Sequence, residues 1–194
     1  METINYYNQN YQEFLKRYDN ANMEQLNSIF SKFIFKDSFV LELGFGSGRD
    51  LNYIKNITKN IYGIDGSFEF INNLKQNKFY EKRVLLSLLP KIDTSSFNIN
   101  EFDIIISIAV FMHLQEDEII ETIKNIKNKL NPSGKIIISY STKSRSNDTR
   151  AFYEVSKTKM TQLFNDENFK EIEFTITNDS LNRNIEWIIQ VYEL

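Results

Sequence analysis

The sequence predicts an α/β fold built on a doubly wound sheet of seven strands, five of them parallel and two forming a closing antiparallel pair. Three observations support this prediction. Short apolar runs alternate with amphipathic helical segments between residues 39 and 140, which is typical of a parallel sheet with helices on both faces. A glycine-rich loop directly follows the first apolar run. Two runs near the end of the chain are joined only by residues 178–184, and this connection is too short for a parallel crossover.

Hydrophobic spacing predicts the elements of the first half of the chain. Residues 23–33 place apolar side chains at the i, i+3, i+4 and i+7 positions of a half-buried helix. The hydroxyl of Ser67 can cap a helix that carries Phe68, Ile71 and Leu74. The predicted elements in order are helices over 7–18 and 23–33, strand 39–43, helix 49–57, strand 60–64, a helix from residue 68 and strand 83–88.

The second half of the chain continues this alternation and then departs from it. The run Asp103–Ile108 is apolar on both faces, as a central parallel strand should be. The last two runs alternate only in part, and we expect Trp187, which lies in the second of them, to belong to the core. The predicted elements in order are strand 103–108, helix 116–130, a turn at 131–134, strand 135–140, helix 156–167 and strands 170–177 and 185–192.

Composition indicates how the chain is organised. The 194 residues are 41% hydrophobic and 25% charged, within the ordinary range for one soluble domain. No repeat or flexible linker divides the chain, so we expect one domain over 1–194, with a helical cap at 1–36 and a cofactor-binding core at 37–194. The N-terminal sequence lacks the apolar segment of a signal peptide, and no apolar run is long enough to span a bilayer. We therefore expect a cytoplasmic protein with no membrane partner.

Residue counts exclude several classes of site. Without cysteine, the chain has no disulfide, thiolate metal site or cysteine nucleophile. With a single histidine, His113, it has no multi-histidine metal site, so we expect no metal. The net charge of −3 argues against a broad nucleic-acid surface.

The glycine-rich loop lies between a strand and a helix, which is the setting in which such loops bind ligands. Gly44, Gly46 and Gly48 allow a tight turn and let a ligand lie against the main chain. The loop lacks the lysine of a phosphate-binding loop, and its G-x-G-x-G spacing differs from the G-x-G-x-x-G dinucleotide fingerprint. The nucleophile elbow of an α/β-hydrolase needs a serine at position 46, where this chain has glycine, so the loop is not of that class. A nicotinamide-dependent oxidoreductase remains an alternative.

Two acidic residues flank the loop. Glu42 precedes the first glycine by two residues, and Asp65 ends the second strand, seventeen residues after Gly48. A carboxylate at Asp65 can accept both hydroxyls of a ribose, whereas a carboxylate at Glu42 repels a pyrophosphate and attracts a cation. S-adenosylmethionine carries a sulfonium, an ammonium, one carboxylate and no phosphate, and therefore suits this loop. The alternative for Glu42 is an exposed strand end.

With these residues the chain resembles the class I S-adenosylmethionine-dependent methyltransferases, which have a Rossmann-like sheet. The order and spacing of the matching stretches fit that family across residues 39–140, and the antiparallel pair at the end fits as well. The N-terminal helices and the GSGRD sequence are loosely similar to small bacterial tellurite and thiopurine methyltransferases. The matching stretches are VLELGFGSG (40–48), IYGIDGS (61–67), EFDIIISIAVFMHL (101–114) and LNPSGKIIIS (130–139).

The resemblance implies a role for each residue near the methionine and the ribose. Gly44, Gly46 and Gly48 would line the methionine part of the cofactor. Glu42 would lie near its ammonium, directly or through water, and Asp65 would bind the ribose.

The resemblance also implies the residues around the adenine. Ser87 and Leu88, at the end of strand three, would flank the adenine, and Ser107 and Ile108, which end strand four, would face the methionine. The family often has an acidic residue near the end of strand three, whereas this chain has none there before Asp93. Main chain and Ser87 would then hold the adenine.

Four further candidates each keep two interpretations. His113 follows strand four, close to the carboxyl ends of the strands, and is either the general base or a packing residue. Arg49 can bind the methionine carboxylate or pair with Asp50. An N-terminal helix often closes over the cofactor in the family, so Tyr11 and Arg17 can contribute a ring and a cation or can simply pack.

The sequence therefore predicts an enzyme that transfers a methyl group from S-adenosylmethionine to a nucleophilic atom by in-line displacement. The small size and the helical cap favour a small-molecule acceptor, and the polar segment 141–150 is either a solvated loop or a lid over an anionic acceptor. A DNA adenine methyltransferase is disfavoured, because Ser107–Val110 stands where that class carries its proline motif. A non-catalytic module that binds S-adenosylmethionine and an RNA or protein methyltransferase remain alternatives.

Overall fold

One mixed sheet of seven strands runs through the part of the chain that the computed structural model describes, residues 2–19, 21–99, 101–143, 145, 148–179 and 185–194. The strands are β1 (Val40–Leu43), β2 (Ile61–Asp65), β3 (Val84–Leu86), β4 (Phe102–Ile108), β5 (Leu130–Ser141), β6 (Lys170–Asn178) and β7 (Glu186–Glu193). Their order is β3-β2-β1-β4-β5-β7-β6. The first five strands pair in parallel, and β7 is antiparallel to β5 and β6. The predicted fold is confirmed.

Helices connect the strands and pack against both faces of the sheet. The predicted cap of α5 is confirmed, because the Ser67 hydroxyl accepts a hydrogen bond from the Phe70 N–H (3.3 Å). Helices α4 and α6 end at Ile54 and Lys127, each three residues before the predicted end. In the described residues the helices are α1 (Glu2–Gln9), α2 (Tyr11–Asp19), α3 (Glu24–Phe33), α4 (Arg49–Ile54), α5 (Phe68–Lys75), α6 (Glu116–Lys127) and α7 (Lys157–Asp166), with 3₁₀ turns at Ser95–Phe97 and Phe111–His113.

The N-terminal segment differs from the prediction of one helix over 7–18. The structure has two helices, α1 and α2, which meet at Asn10. The Asn10 side-chain amide donates to the Tyr6 carbonyl (2.9 Å), and the Asn10 carbonyl accepts from the Phe14 N–H (3.2 Å). The Asn10 backbone N–H donates to the same Tyr6 carbonyl (3.1 Å), so the break between the two helices is confined to this one residue.

The predicted turn at 131–134 lies within the bounds of β5, where it interrupts the pairing with β4, and Ser133 has a φ of +62°. Phe102 pairs with Leu130 and Ile104 pairs with Lys135, so four residues of β5 oppose a single residue of β4. The strand absorbs the turn sequence as an irregularity between two paired segments. Local sequence does not distinguish these outcomes, since both use residues such as Pro and Gly.

Apolar side chains of β4 point alternately into two clusters, one on each face of the sheet. Ile104 and Ile106 belong to a cluster with side chains from α2, α3, α4 and α5, and Ile105 belongs to a cluster with side chains from α6 and α7. All three isoleucines are at most 4% exposed. β4 is therefore a central strand, as its apolar run predicts.

We expect Ile105→Ala to lower the free energy of unfolding by about 2–5 kcal/mol, because the site is fully buried and the lost methyl groups leave a cavity. The matched control is Leu86→Ala on the edge strand β3, where the side chain is 59% exposed and the expected change is under about 0.5 kcal/mol. Chemical denaturation of both variants checks this expectation. Equal losses at the two positions would contradict the assignment of β4 to the centre of the sheet.

Candidate active site

A cavity of about 850 Å³ lies at the carboxyl ends of the parallel strands, where open α/β sheets bind their ligands. Its floor is formed by residues at the ends of β1 to β5, and its roof by α1 and α2. Ten of the thirteen predicted site residues line this cavity. They are Arg17, Glu42, Gly44, Gly46, Arg49, Asp65, Ser87, Leu88, Ile108 and His113.

The other three predicted residues, Tyr11, Gly48 and Ser107, are not part of the cavity wall. The Tyr11 hydroxyl accepts a hydrogen bond from the neighbouring Gln12 amide (3.3 Å) at the surface. Gly48 precedes the first residue of α4. Ser107 is fully buried, and its hydroxyl donates a long hydrogen bond to the Leu43 carbonyl (3.5 Å). Gly48 and Ser107 therefore support the cavity wall from behind.

The glycine loop is shaped by close contacts as well as by its backbone conformation. Gly44 and Gly46 have φ values of +72° and +53°, which L side chains rarely adopt. A Cβ at position 44 would lie 2.5 Å from Cγ2 of Val110, and one at position 46 would lie 3.1 Å from the Tyr18 ring. Glycine is needed at both positions because the loop is pressed between β4 and α2.

Asp65 fastens this loop to the end of β2. Its Oδ2 accepts a hydrogen bond from the Gly46 N–H and its Oδ1 accepts one from the Ser67 N–H, each at 2.8 Å. Burial raises the pKa of Asp65 to about 6, and the backbone N–H groups that stabilise the charged form offset part of this effect. Each oxygen keeps a further lone pair that can accept a hydrogen bond from a ligand.

Glu42 is buried, so the alternative of an exposed strand end is wrong. Its Oε2 is one of the few buried side-chain oxygens in the described residues that lack a hydrogen-bond partner. Burial raises the pKa of Glu42 well above its usual value, the charge of Asp50 raises it further, and Arg49 partly opposes both. A buried carboxylate oxygen without a partner is costly, and the cavity beside it can admit a cationic donor.

The two arginines of the predicted site both have partners on the protein. The Arg49 Nε and Nη2 donate to the two carboxylate oxygens of Asp50 (2.9 and 2.8 Å), and its Nη1 donates to the Tyr18 carbonyl (3.3 Å). Of the two interpretations of Arg49, pairing with Asp50 is the one that the structure shows. Arg17 pairs with Glu13 one helical turn earlier (3.1 Å), at the edge of the cavity.

His113 has a partner at each ring nitrogen. Its Nδ1 lies 2.6 Å from the Ala151 carbonyl, which can only accept, so Nδ1 carries the hydrogen and donates. Its Nε2 therefore accepts from the Tyr7 hydroxyl (3.1 Å). Burial lowers the pKa of His113 to about 4, so the imidazole is neutral near pH 7. The lone pair that a general base would use is occupied while α1 is in place.

The Tyr7 hydroxyl connects the roof of the cavity to Arg150. The Arg150 Nη1 donates to this hydroxyl (3.1 Å), and its Nε and Nη2 donate to the Asp148 carboxylate (2.9 and 2.6 Å). Arg150 is only 8% exposed. In the predicted polar segment 141–150, Arg150 is thus a buried link between the cap and the core, while residues 144, 146 and 147 lie outside the described residues.

The adenine end of the predicted site is shaped by Ser87 and Leu88. The Ser87 hydroxyl donates to the Lys91 carbonyl (2.9 Å) and accepts from the Asp93 N–H (3.2 Å), so it holds the loop after β3. Leu88 is half exposed and lines the cavity beside Gly66. This end of the cavity therefore offers an apolar surface and main chain.

Sequence reasoning missed several aromatic residues of the cavity wall, among them Tyr7, Tyr18 and Trp187. The prediction that Trp187 belongs to the core is incomplete, since the ring is partly buried against the core and also lines the cavity, with its Nε1 donating to Asp179 (3.0 Å). The position of Trp187 could have indicated this. It lies near the start of an antiparallel strand, and the start of such a strand lies beside the carboxyl ends of the parallel strands. Tyr7 and Tyr18 carry no comparable signal, because the sequence does not specify how α1 and α2 fold over the sheet.

Two kinds of feature are absent from the part of the chain that the structure describes. It has no cluster of three or more histidine, aspartate or glutamate side chains that could bind a metal ion. No helix in this part of the chain is long and apolar enough to cross a membrane.

Comparison with solved structures shows the same fold in several methyltransferases. The putative methyltransferase bound to the Trm112 activator in Haloferax volcanii aligns over 98% of this chain and 96% of its own, with a TM-score of 0.80 and 14% identity. An S-adenosylmethionine-dependent methyltransferase from Clostridium acetobutylicum aligns over 95% and 98%, with a TM-score of 0.73 and 13% identity. A TehB-like methyltransferase from Corynebacterium glutamicum aligns over 94% and 96%, with a TM-score of 0.70 and 17% identity. The comparison with curated proteins found no match.

Comparison with protein families extends the likeness from fold to family. The family model described as a methyltransferase domain matches residues 41–138, about half of the chain. This range includes Glu42, the glycine loop, Asp65 and His113. The chain therefore belongs to the methyltransferase-domain family and is a class I S-adenosylmethionine-dependent methyltransferase, with S-adenosylmethionine as its cofactor.

Proposed function

We propose that this enzyme methylates a nucleophilic atom of a small molecule by in-line displacement. The observation that carries the proposal is the pair of buried carboxylates, Glu42 and Asp65, beside the glycine loop in one roofed cavity. When bound, S-adenosylmethionine supplies a methyl group already activated by its sulfonium. The residues of the chain then bind and orient the two reactants, and orientation accounts for much of the rate of such a transfer.

Each cofactor contact in this proposal matches one group of the cofactor to a feature of the cavity. The ammonium would give the Glu42 Oε2 the donor that it lacks. The ribose hydroxyls would donate to the lone pairs that Asp65 does not use for Gly46 and Ser67. The main chain at Gly44 and Gly46, together with Ile108, would lie against the methionine, and Ser87 and Leu88 would border the adenine. Gly48 and Ser107 would act by supporting this wall.

The proposed cap, residues 1–36 of a single domain, favours a small acceptor. Helix α1 reaches across the cavity and contacts both sides of it: the Thr3 hydroxyl accepts from the Ala151 N–H (2.9 Å), and the Asn8 side chain accepts from the Ser67 hydroxyl (2.6 Å). A roof of this kind excludes water from the reacting atoms. It also obstructs the approach of a polymer such as RNA or a folded protein.

The cavity wall also includes side chains that the proposed cofactor contacts do not use. Leu26, Ile189 and Trp187 supply apolar surface, and Ser139, near the end of β5, adds a hydroxyl. Such a wall fits a small molecule with an apolar body and a few polar groups. Release of S-adenosylhomocysteine with a panel of small acceptors tests the proposal. Release only with RNA or protein would contradict it.

The engaged nitrogens of His113 favour a second candidate, a module that binds S-adenosylmethionine without turning it over. The [4+2]-cyclase SpnF aligns with this chain at a TM-score of 0.66 and 14% identity, so the same fold also occurs in a cyclase. Turnover separates the two candidates. The engaged nitrogens of His113 are also compatible with an active enzyme. The sulfonium already activates the methyl group, so transfer can proceed without a general base from the protein.

We expect Asp65→Ala to weaken S-adenosylmethionine binding at least tenfold, about 1.4 kcal/mol or more, because the ribose loses its acceptor. In the wild type, affinity should also fall as the pH drops below about 6, where Asp65 takes up a proton. Isothermal titration calorimetry measures both effects. Asp166→Ala, at an exposed site in α7, is the control, and unchanged affinity in a folded Asp65→Ala protein would contradict the ribose assignment.

We expect Glu42→Gln to weaken binding of S-adenosylmethionine at least tenfold. Binding of methylthioadenosine, which lacks the amino group, should stay the same, and this ligand serves as the control. The ligand-free variant should be more stable than the wild type near pH 7. The raised pKa of Glu42 means that its charged form costs free energy in the folded state, a cost that grows as the pH rises and that the amide avoids. Equal losses for both ligands would refute contact with the ammonium.

We expect His113→Gln and Tyr7→Phe to have matching effects, because each removes one side of the same hydrogen bond. Both should raise the KM for S-adenosylmethionine while kcat changes less than tenfold, since His113 acts as a positioning residue through Tyr7. Steady-state kinetics with an acceptor found in that panel measure the effects on KM and kcat separately. A loss of kcat of about 10²–10⁴ in His113→Gln alone, with KM unchanged, would instead identify His113 as the general base.

A further inference from the structure

The outer edge of the sheet at β6 carries exposed apolar side chains. β6 is the last strand in the sheet order, and no other strand among the described residues pairs with its outer side. Phe174 and Ile176 are 40% and 55% exposed, although they lie on a strand of nine residues. A long apolar edge is a template for pairing with another chain unless it is protected. This edge is therefore a candidate interaction surface.

The regular part of this edge is the segment 173–177. The register with β7 shifts between Glu171 and Glu173 and is continuous from there to the end of the strand. Side chains alternate along a regular strand, so Phe174 and Ile176 share one face, and Glu173, Thr175 and Thr177 share the other. The edge thus presents an apolar face and a polar face to any strand that pairs with it.

We propose that two copies of this chain pair their β6 strands antiparallel about a two-fold axis at Thr175, which joins two sheets into one. This register pairs the regular segment 173–177 with itself. Phe174 of one copy then lies opposite Ile176 of the second copy, Glu173 opposite Thr177, and Thr175 opposite its own counterpart. Within 173–177, apolar side chains meet apolar side chains, and no two like charges are opposed.

The charged side chains beside the β6 edge would not repel a second copy of the chain. Lys157 lies 4.4 Å from the Phe174 ring centroid and is paired with Glu171 (2.8 Å), so each copy brings a neutral pair to the apolar face. A two-fold contact uses the same patch on both copies and therefore closes as a dimer. Thr177, at one end of the paired segment, also lines the active-site cavity, so the proposed interface would adjoin the cavity wall.

Sedimentation of the full chain over a concentration series tests the dimer. The wild type should show a monomer–dimer equilibrium. Phe174→Asp and Ile176→Lys should each raise the dissociation constant at least tenfold, because each places a charge against an apolar side chain. The control is Phe35→Asp, which alters an exposed phenylalanine outside the sheet and should leave dimerisation unchanged. A monomeric wild type, as expected if this edge binds a different protein, would overturn the proposal.

A mixture of the two edge variants tests the register. In the proposed dimer, the carboxylate introduced at position 174 of one copy faces the ammonium introduced at position 176 of the other, so mixing should restore dimers that neither variant forms alone. A mixture that stays monomeric, or a dimer that neither substitution weakens, overturns the proposal. If a variant does not fold, hydrogen exchange of wild-type amides 173–177 decides: protection that rises with concentration supports the pairing, and constant protection refutes it.

Discussion

The carboxylate of Asp65 is the group on which the rest of the site depends. Two hydrogen bonds of 2.8 Å tie it to the glycine loop and to the start of α5, so the ends of β1 and β2 hold one geometry. Burial of this charge costs free energy, which appears as a pKa raised to about 6, and the backbone N–H groups offset part of it. Glu42, on the neighbouring strand, lacks such compensation at one oxygen. These two carboxylates are the basis for proposing a ligand with a cationic end and hydroxyl groups.

The parallel sheet explains why these groups meet, and the cap explains how the cavity is closed. Open α/β sheets bind their ligands at the carboxyl ends of the parallel strands, and the cavity lies there. Helix α1 has no fully buried residue, and it is held by partly buried rings, Tyr6 and Tyr7, together with polar contacts such as that between Tyr7 and His113. Contacts of this kind open at a lower cost than a buried apolar face does. We therefore expect the roof to open at a lower cost than the buried strands of the sheet, which would allow exchange of the cofactor.

Features set by neighbouring residues in the chain were predictable from the sequence, and features set by distant contacts were not. Strand alternation, the closing antiparallel pair and the Ser67 cap depend on local pattern and are confirmed. The contact between Tyr7 and His113 joins residues 106 positions apart, and no periodicity specifies such a pair. The sequence of residues 131–134 is that of a turn, but it does not reveal that the residues on both sides of it pair with the same strand, β4. The roles of the site residues remain predictions.

A crystal structure of the protein with S-adenosylhomocysteine tests the central claim most directly, because it locates both ends of the cofactor at once. The account predicts the amino group within about 3.2 Å of the Glu42 carboxylate and the ribose hydroxyls at the same distance from Asp65. It also predicts that Gly44 and Gly46 lie against the methionine chain. A ligand whose amino group lies away from Glu42, or whose ribose is bound by residues other than Asp65, would contradict it.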